Sequence, residues 1–143
     1  MHLFIRVADL KDAEPINKLS IQLGYAATGE QIQTRLKEIL SHHDNCVFVA
    51  VENENIVGWV HGFYSPRIES ASFVEIGGLV VDKNYQRKGV GQMLVKKVIE
   101  WSQTKRVDKI RVRCNTIRKE AHIFYKAIGF LETKEQKIFD FNY

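Results

Sequence analysis

Residues 75–91 read Glu75-Ile76-Gly77-Gly78-Leu79-Val80-Val81-Asp82-Lys83-Asn84-Tyr85-Gln86-Arg87-Lys88-Gly89-Val90-Gly91. This is an apolar strand, then a basic turn punctuated by glycine, then a helix. Val90, Met93, Leu94, Val98 and Trp101 recur at helical spacing directly after the turn. A strand that feeds a helix N-terminus in this way presents backbone N–H groups and the positive end of the helix dipole, which suits phosphate. Gly89 and Gly91 let a ligand approach the backbone, and Arg87 and Lys88 add charge beside it.

Working outward, Leu3 to Val7 reads as a strand. Asp9 or Asp12 can cap a first helix, and Pro15, tolerable only in a first turn, favours Asp12. Ile16, Leu19 and Leu23 give that helix an apolar face, and Gly24-Tyr25 ends it. Thr28-Gly29-Glu30-Gln31 is a capping-box pattern that opens a second helix carrying Ile32, Leu36, Ile39 and Leu40. Cys46 to Val51 and Ile56 to Tyr64 flank a polar turn and predict a hairpin. A third strand is expected over about Ala71 to Val81, and a half-exposed strand over Lys109 to Cys114. Ile117, Ala121, Phe124, Tyr125 and Ile128 mark a last helix stopped by Gly129. Phe130 to Phe141 predicts one or two final strands. The order is a mixed α/β one, and its strand–helix–strand unit suits a parallel pair.

The chain has 143 residues, enough for one domain with its own core. No apolar run is long enough to span a bilayer, and the N-terminal residues lack the apolar core of a signal peptide, so a cytoplasmic location and no membrane partner are expected. Cys46 and Cys114 have neither metal nor redox spacing and read as small buried hydrophobes. No cluster of His, Cys and acidic residues suggests a metal. Net charge is +4, and the basic residues concentrate in the second half. A polyanionic ligand fits this, but no nucleic-acid-binding motif accompanies it, so no nucleic-acid partner is expected.

The residues resemble the GNAT superfamily of acetyl-CoA-dependent N-acetyltransferases. The marks are Leu79-Val80-Val81-Asp82, Tyr85, Gln86-x-x-Gly89-x-Gly91 opening a helix, then Asn115 and Ala121-His122-x-Phe124-Tyr125-x-x-x-Gly129-Phe130. The glycine pattern alone is weak; joined to the later block it is specific, and the element order extends the likeness over nearly the whole chain. A Rossmann or Walker reading fits less well, for want of either glycine signature in its proper place. The resemblance implies a single N-acetyltransferase domain over residues 1–143. Its sheet would be mixed and mostly antiparallel, with a parallel strand pair splayed at the cofactor site and helices on both faces.

It also implies the site. Acetyl-CoA would be the cosubstrate, with no metal. Its pyrophosphate would lie on the N–H groups of Arg87, Lys88, Gly89, Val90, Gly91 and Gln92, and its pantetheine arm along Leu79, Val80 and Val81. Gly77-Gly78 suits a bulge that opens the slot. The acceptor amine must lose a proton, the thioester oxygen needs a donor such as an N–H near Val80, and the departing thiolate needs a proton. Tyr125 falls at the position of the family's proton donor. Glu75, alone in an apolar strand, is a candidate base acting through water, and His61 on the neighbouring strand is a second base or a partner that orients it. Asn115 and Arg118 are further cofactor contacts; Arg118 stands where many relatives have asparagine, which resembles the aminoglycoside and aminoalkylphosphonate branch.

Tyr25, Glu30 and Tyr64 would line an acceptor pocket. The reaction expected is direct attack by a primary amine, of a small cationic molecule, in a ternary complex. A protein lysine or N-terminal acetyltransferase and a non-catalytic acetyl-CoA-binding module are the alternatives. The alternating strand Ile138 to Phe141 would either close the sheet or pair across a homodimer.

Overall fold

The computed structural model describes residues 2–143. The chain divides into two compact units, Met1–Arg113 and Cys114–Tyr143.

The first unit carries the sheet. Its elements are β1 (Leu3–Val7), a 3-10 turn (Leu10–Asp12), α1 (Ala13–Gln22), α2 (Gly29–Leu40), β2 (Asn45–Glu52), β3 (Asn55–Ser65), β4 (Phe73–Val81), a second 3-10 turn (Lys83–Tyr85), α3 (Val90–Gln103) and β5 (Ile110–Val112). The strands lie in the order β1-β2-β3-β4-β5. The pairs from β1 to β4 are antiparallel and β4–β5 is parallel, as the crossover through α3 requires.

Both faces of this sheet are covered. On one, Val47, Val49 and Val51 of β2 form a core with Ala8, Ala13, Ile16 and Leu36, and Trp59 packs at its margin. On the other, Val90, Leu94, Val95 and Val98 of α3 are buried. A Cβ on Gly62 would lie 2.8 Å from a methyl of Val98, so glycine is what lets α3 seat this closely. Fully burying a side chain such as Leu94 stabilises the fold by about 1.5–3 kcal/mol.

The local signals mostly act as read. Thr28 and Gln31 make the reciprocal capping box of α2. Asn53 (φ 48°) and Glu54 (φ 67°) make the tight turn between β2 and β3. The start of α1 differs from expectation. Asp9 caps the 3-10 turn, whereas the Asp12 carboxylate makes no cap bond to α1. It is held instead by both terminal nitrogens of Arg6, at 2.8 and 2.9 Å, and by the Asp9 N–H at 2.8 Å. An arginine fork aimed at a buried carboxylate outcompetes a single helix N–H.

In the second unit, the Asn115 side chain accepts from the Ile117 N–H (3.1 Å) and its carbonyl lies 2.9 Å from His122 Nε2. This turn leads into α4 (Lys119–Ala127), so Ile117 precedes the helix rather than belonging to it. Gly129, at φ 108°, ends it. The final strands expected over Phe130 to Phe141 do not form: residues 130–143 have no strand, and Ile138, Phe139 and Phe141 are exposed. Alternation is a preference for a half-buried ladder, and it yields a strand only where a partner edge supplies the hydrogen bonds.

Candidate active site

The site begins with a mismatch between the two edges of β4. β3 pairs with β4 along its whole length, from Phe73 to Val81. Among the described residues β5 pairs with it only over Val74–Ile76. From Gly77 to Val81 the β5-side edge of β4 therefore has no ladder partner. A main chain left open beside a strand pair can bond an extended ligand as a further strand would.

A bulge stands where the edge opens. His61 is opposite Gly78 and Gly62 is opposite Ile76, so Gly77 is the extra residue. A Cβ on Gly77 would meet His61 Nδ1 and Phe63 Cε1, each at 3.1 Å, and one on Gly78 would meet the Trp59 ring at 2.8 Å. Both glycines therefore point to the face of Trp59, His61 and Phe63. Strict alternation would put Gly78 with Val74 and Ile76 on the opposite face; the bulge cancels that step.

His61 lies on this face, beside the bulge. Its Nε2 lies 2.8 Å from Asn45 Oδ1. An amide oxygen only accepts, so the contact holds the proton on Nε2 and leaves Nδ1, the nitrogen facing Gly77, with its lone pair. Burial lowers the histidine's pKa and keeps the ring neutral near pH 7. Glu75 shares the face: it is opposite Phe63 on β3 and in register with Arg111 on β5. It is not a lone carboxylate, since Arg113 Nε donates to its Oε1 at 3.2 Å. Asn45 and Arg113 escape a reading of the sequence because neither belongs to a motif; only strand register brings them to His61 and Glu75.

Past the open edge, Leu79 and Val81 are half-buried and Val80 is buried. The turn then bends through two left-handed residues, Arg87 (φ 62°) and Gly89 (φ 83°), before α3 starts at Val90. Gly89 brings no side-chain cap, and a Cβ there would meet nothing within 4 Å. The space beside Gly89 is open, and the first-turn N–H groups of Val90, Gly91 and Gln92 lie beyond the reach of intrahelical acceptors. Arg87 and Lys88 are exposed, and Lys88 Nζ sits 5.3 Å from the centroid of Tyr85. The Tyr85 hydroxyl donates to Glu52 Oε1 at 2.8 Å and ties the turn to the sheet.

The other candidates separate. Tyr25 lines an open hollow of about 550 Å³ between α1 and α2, with Ile21, Gly24 and Gln31. Glu30 lines an adjoining one of about 480 Å³ with Arg35. Neither hollow includes His61 or Glu75. Tyr64 is opposite Val74 and alternates with Phe63, so it lies on the α3 face, away from His61. Within the second unit, Tyr125 is buried and makes edge contacts with Phe124 and Phe130 at 5.0 and 5.3 Å. Burial raises the pKa of its phenol, Cys114 adds to this and Arg118 opposes it. Asn115 turns its side chain to the local backbone.

The model of the acetyltransferase (GNAT) family matches residues 13–130. The chain is 30% identical over 86 residues to N-acetylaspartate synthetase of Xenopus tropicalis, covering 60% of this chain and 31% of that protein. It is 26% identical over 99 residues to human N-acetyltransferase 8, covering 68% and 43%. The chain thus spans less than half the length of these two curated relatives. A solved structure of AAC(6')-Iy, in complex with the bisubstrate analogue CoA-S-monomethyl-acetylneamine, shares the fold with a TM-score of 0.89. It is 19% identical, with 99% of each chain covered.

Proposed function

The chain belongs to the acetyltransferase (GNAT) family, and we propose that it moves the acetyl group of acetyl-CoA to the primary amine of a small molecule, by direct attack in a ternary complex. The observation that carries this reading is the edge of β4 from Gly77 to Val81, open beside a glycine bulge and leading straight to the start of α3. That edge fits an extended arm, and the turn at Arg87–Gly89 fits a pyrophosphate.

Bound acetyl-CoA supplies an activated acetyl thioester. The main chain of Leu79, Val80 and Val81 would hold the pantetheine arm, and the N–H groups from Arg87 to Gln92 the pyrophosphate, with Asn115 and Arg118 as further contacts. His61 Nδ1 takes the proton of the incoming ammonium group, directly or through water, and Glu75, held by Arg113, lines the same face. An N–H near Val80 stabilises the charge that develops on the thioester oxygen. Tyr125 returns a proton to the departing sulfur, and its raised pKa keeps it protonated for that task. The acceptor enters past the α1–α2 connection, by Tyr25 and Glu30. A small acceptor is supported by the likeness to proteins named for N-acetylaspartate and for an aminoglycoside.

The reading places the enzyme in the cytoplasm; no helix among the described residues is long and apolar enough to cross a membrane. It includes a homodimer paired along Ile138 to Phe141, supported by the exposed Ile138, Phe139 and Phe141. The deciding experiment is thiol release from acetyl-CoA over a panel of amino acids, amino sugars, aminoglycosides, polyamines and peptides. Turnover confined to small amines is expected. Tight acetyl-CoA binding with no thiol release from any amine would leave only a binding module.

A further inference from the structure

Phe73, the first residue of β4, is fully buried, and cations cover it. Arg111 Cζ lies 4.4 Å from its ring centroid, Lys109 Nζ 5.0 Å and Arg67 Cζ 5.3 Å. Three positive charges thus crowd one ring. A ring face attracts each of them weakly, while the charges repel one another across a distance that salt screens only partly. Among the described residues none of the three forms an ion pair. The neighbouring carboxylate, Glu75, is engaged by Arg113. Arg67 and Lys109 are exposed and Arg111 is half-buried, so all three are open to a solute.

The cluster lies on the face of the reaction. Phe73 and Glu75 alternate on β4, Arg111 is in register with Glu75, and both β4 residues share the face of Phe63 and His61. At a rise of about 3.3 Å per residue, Phe73 stands roughly 7 Å from Glu75 and roughly 13 Å from Gly77.

We propose that Arg67, Lys109 and Arg111 form an anion subsite that holds an acidic group, phosphate or carboxylate, on the acceptor whose amine is acetylated at His61. Two guanidinium planes and one ammonium offer the forked and single donors that a phosphate or carboxylate takes up. The acceptor is then an amine with an acidic group at its far end. The assignment of the amine rests on the acetyltransferase reading; the binding of the anion does not.

The test compares a series of aminoalkyl phosphates of increasing length with the amino alcohols of equal length. Each is assayed by thiol release with the wild type, Arg111→Gln and Arg67→Gln. The phosphates are expected to have the lower KM. Either variant should raise that KM about ten-fold, the effect of losing one charge-assisted hydrogen bond. The KM of the amino alcohols and of acetyl-CoA should not change, which separates the acceptor's phosphate from those of the cosubstrate. In parallel, inorganic phosphate is titrated against chloride at equal ionic strength, following the guanidinium NMR signals of Arg67 and Arg111. Shifts with phosphate but not chloride, lost in the variants, support the subsite even if no amine is acetylated, in which case the acetyltransferase reading alone fails. Acetylation without preference for phosphate-bearing amines, or a rise only in the KM of acetyl-CoA, overturns the proposal.

Discussion

His61 Nε2 and Asn45 Oδ1 lie 2.8 Å apart on neighbouring strands, and this contact decides which nitrogen of the histidine faces Gly77. With the proton fixed on Nε2, Nδ1 is an acceptor toward the bulge. Desolvation lowers the pKa of the ring, so Nδ1 can accept a proton above that value and no longer can once pH falls through it.

Asn45→Ala removes the acceptor and admits water. The pKa of His61 should then rise toward its ordinary 6.5, moving the acidic limb of the kcat–pH profile to higher pH. Nitrogen-15 spectra of the ring should show the Nδ1–H form, and turnover near neutral pH should fall about ten-fold or more. Asn45→Asp keeps an acceptor, so it should restore the Nε2–H form while its charge moves the limb further up. A limb unmoved by both variants would remove His61 as the base. The same depression makes stability depend on pH. The unfolded chain binds the proton more readily, so His61's contribution is complete above pH 6.5 and declines as pH falls toward the folded value.

Helix and strand identities were legible where periodicity and turn chemistry agreed, as in the capping box at Thr28 and the glycine turn before α3. Three things were not. Asp12 looked like a cap because the sequence does not show that Arg6 lies across from it. Gly77-Gly78 marked the bulge, yet Gly78 read by strict alternation faced away from Glu75, because an extra residue in a strand reverses every later side chain. Asn45 and Arg113 carry no signal beyond being polar. His61 and Glu75 could be picked out as unusual residues in apolar strands, but the partners that set their charge and tautomer are supplied by register.

The two bulge glycines should fail differently. In Gly78→Ala the new methyl lies 2.8 Å from the Trp59 ring, which packs against the core and would have to shift. Overpacking of this kind costs about 1–3 kcal/mol, and closing the bulge should also weaken acetyl-CoA binding. In Gly77→Ala the methyl lies 3.1 Å from His61 Nδ1. If His61 is the base, the methyl occupies its approach and should lower kcat more than it lowers Tm. Denaturation midpoints alongside acetyl-CoA titrations check both; equal losses of stability and equal activities would show that the bulge serves the fold alone.

Tyr125→Phe removes one hydroxyl and keeps the edge contacts to Phe124 and Phe130. If the phenol donates to the departing sulfur, kcat should drop by about two orders of magnitude with acetyl-CoA affinity nearly unchanged. Burial holds its pKa above the ordinary value, so the phenol stays protonated across the working range and no basic limb should arise from it. Unchanged turnover in the variant would make Tyr125 a packing residue.

Asp12 tests the fold apart from the chemistry. Its carboxylate is buried, with the Arg6 fork and the Asp9 N–H on its oxygens. Desolvation alone would raise its pKa; the hydrogen bonds from Arg6 and Asp9, with the Arg6 charge, outweigh this and hold it below the usual value. The unfolded chain therefore takes up the proton first, and the stability Asp12 contributes is present above about pH 5 and lost as pH falls through the folded pKa. Asp12→Ala should cost about 2–3 kcal/mol at neutral pH. This is less than for a fully buried pair, because the Arg6 side chain is 38% exposed and stays hydrated when its partner is removed. Urea unfolding at a series of pH values should show the variant's midpoint falling less steeply toward acid than the wild type's. Parallel curves would mean that Arg6 and Asp12 are together in the fold without contributing to it, and that α1 is held by its Ile16 and Leu19 face alone.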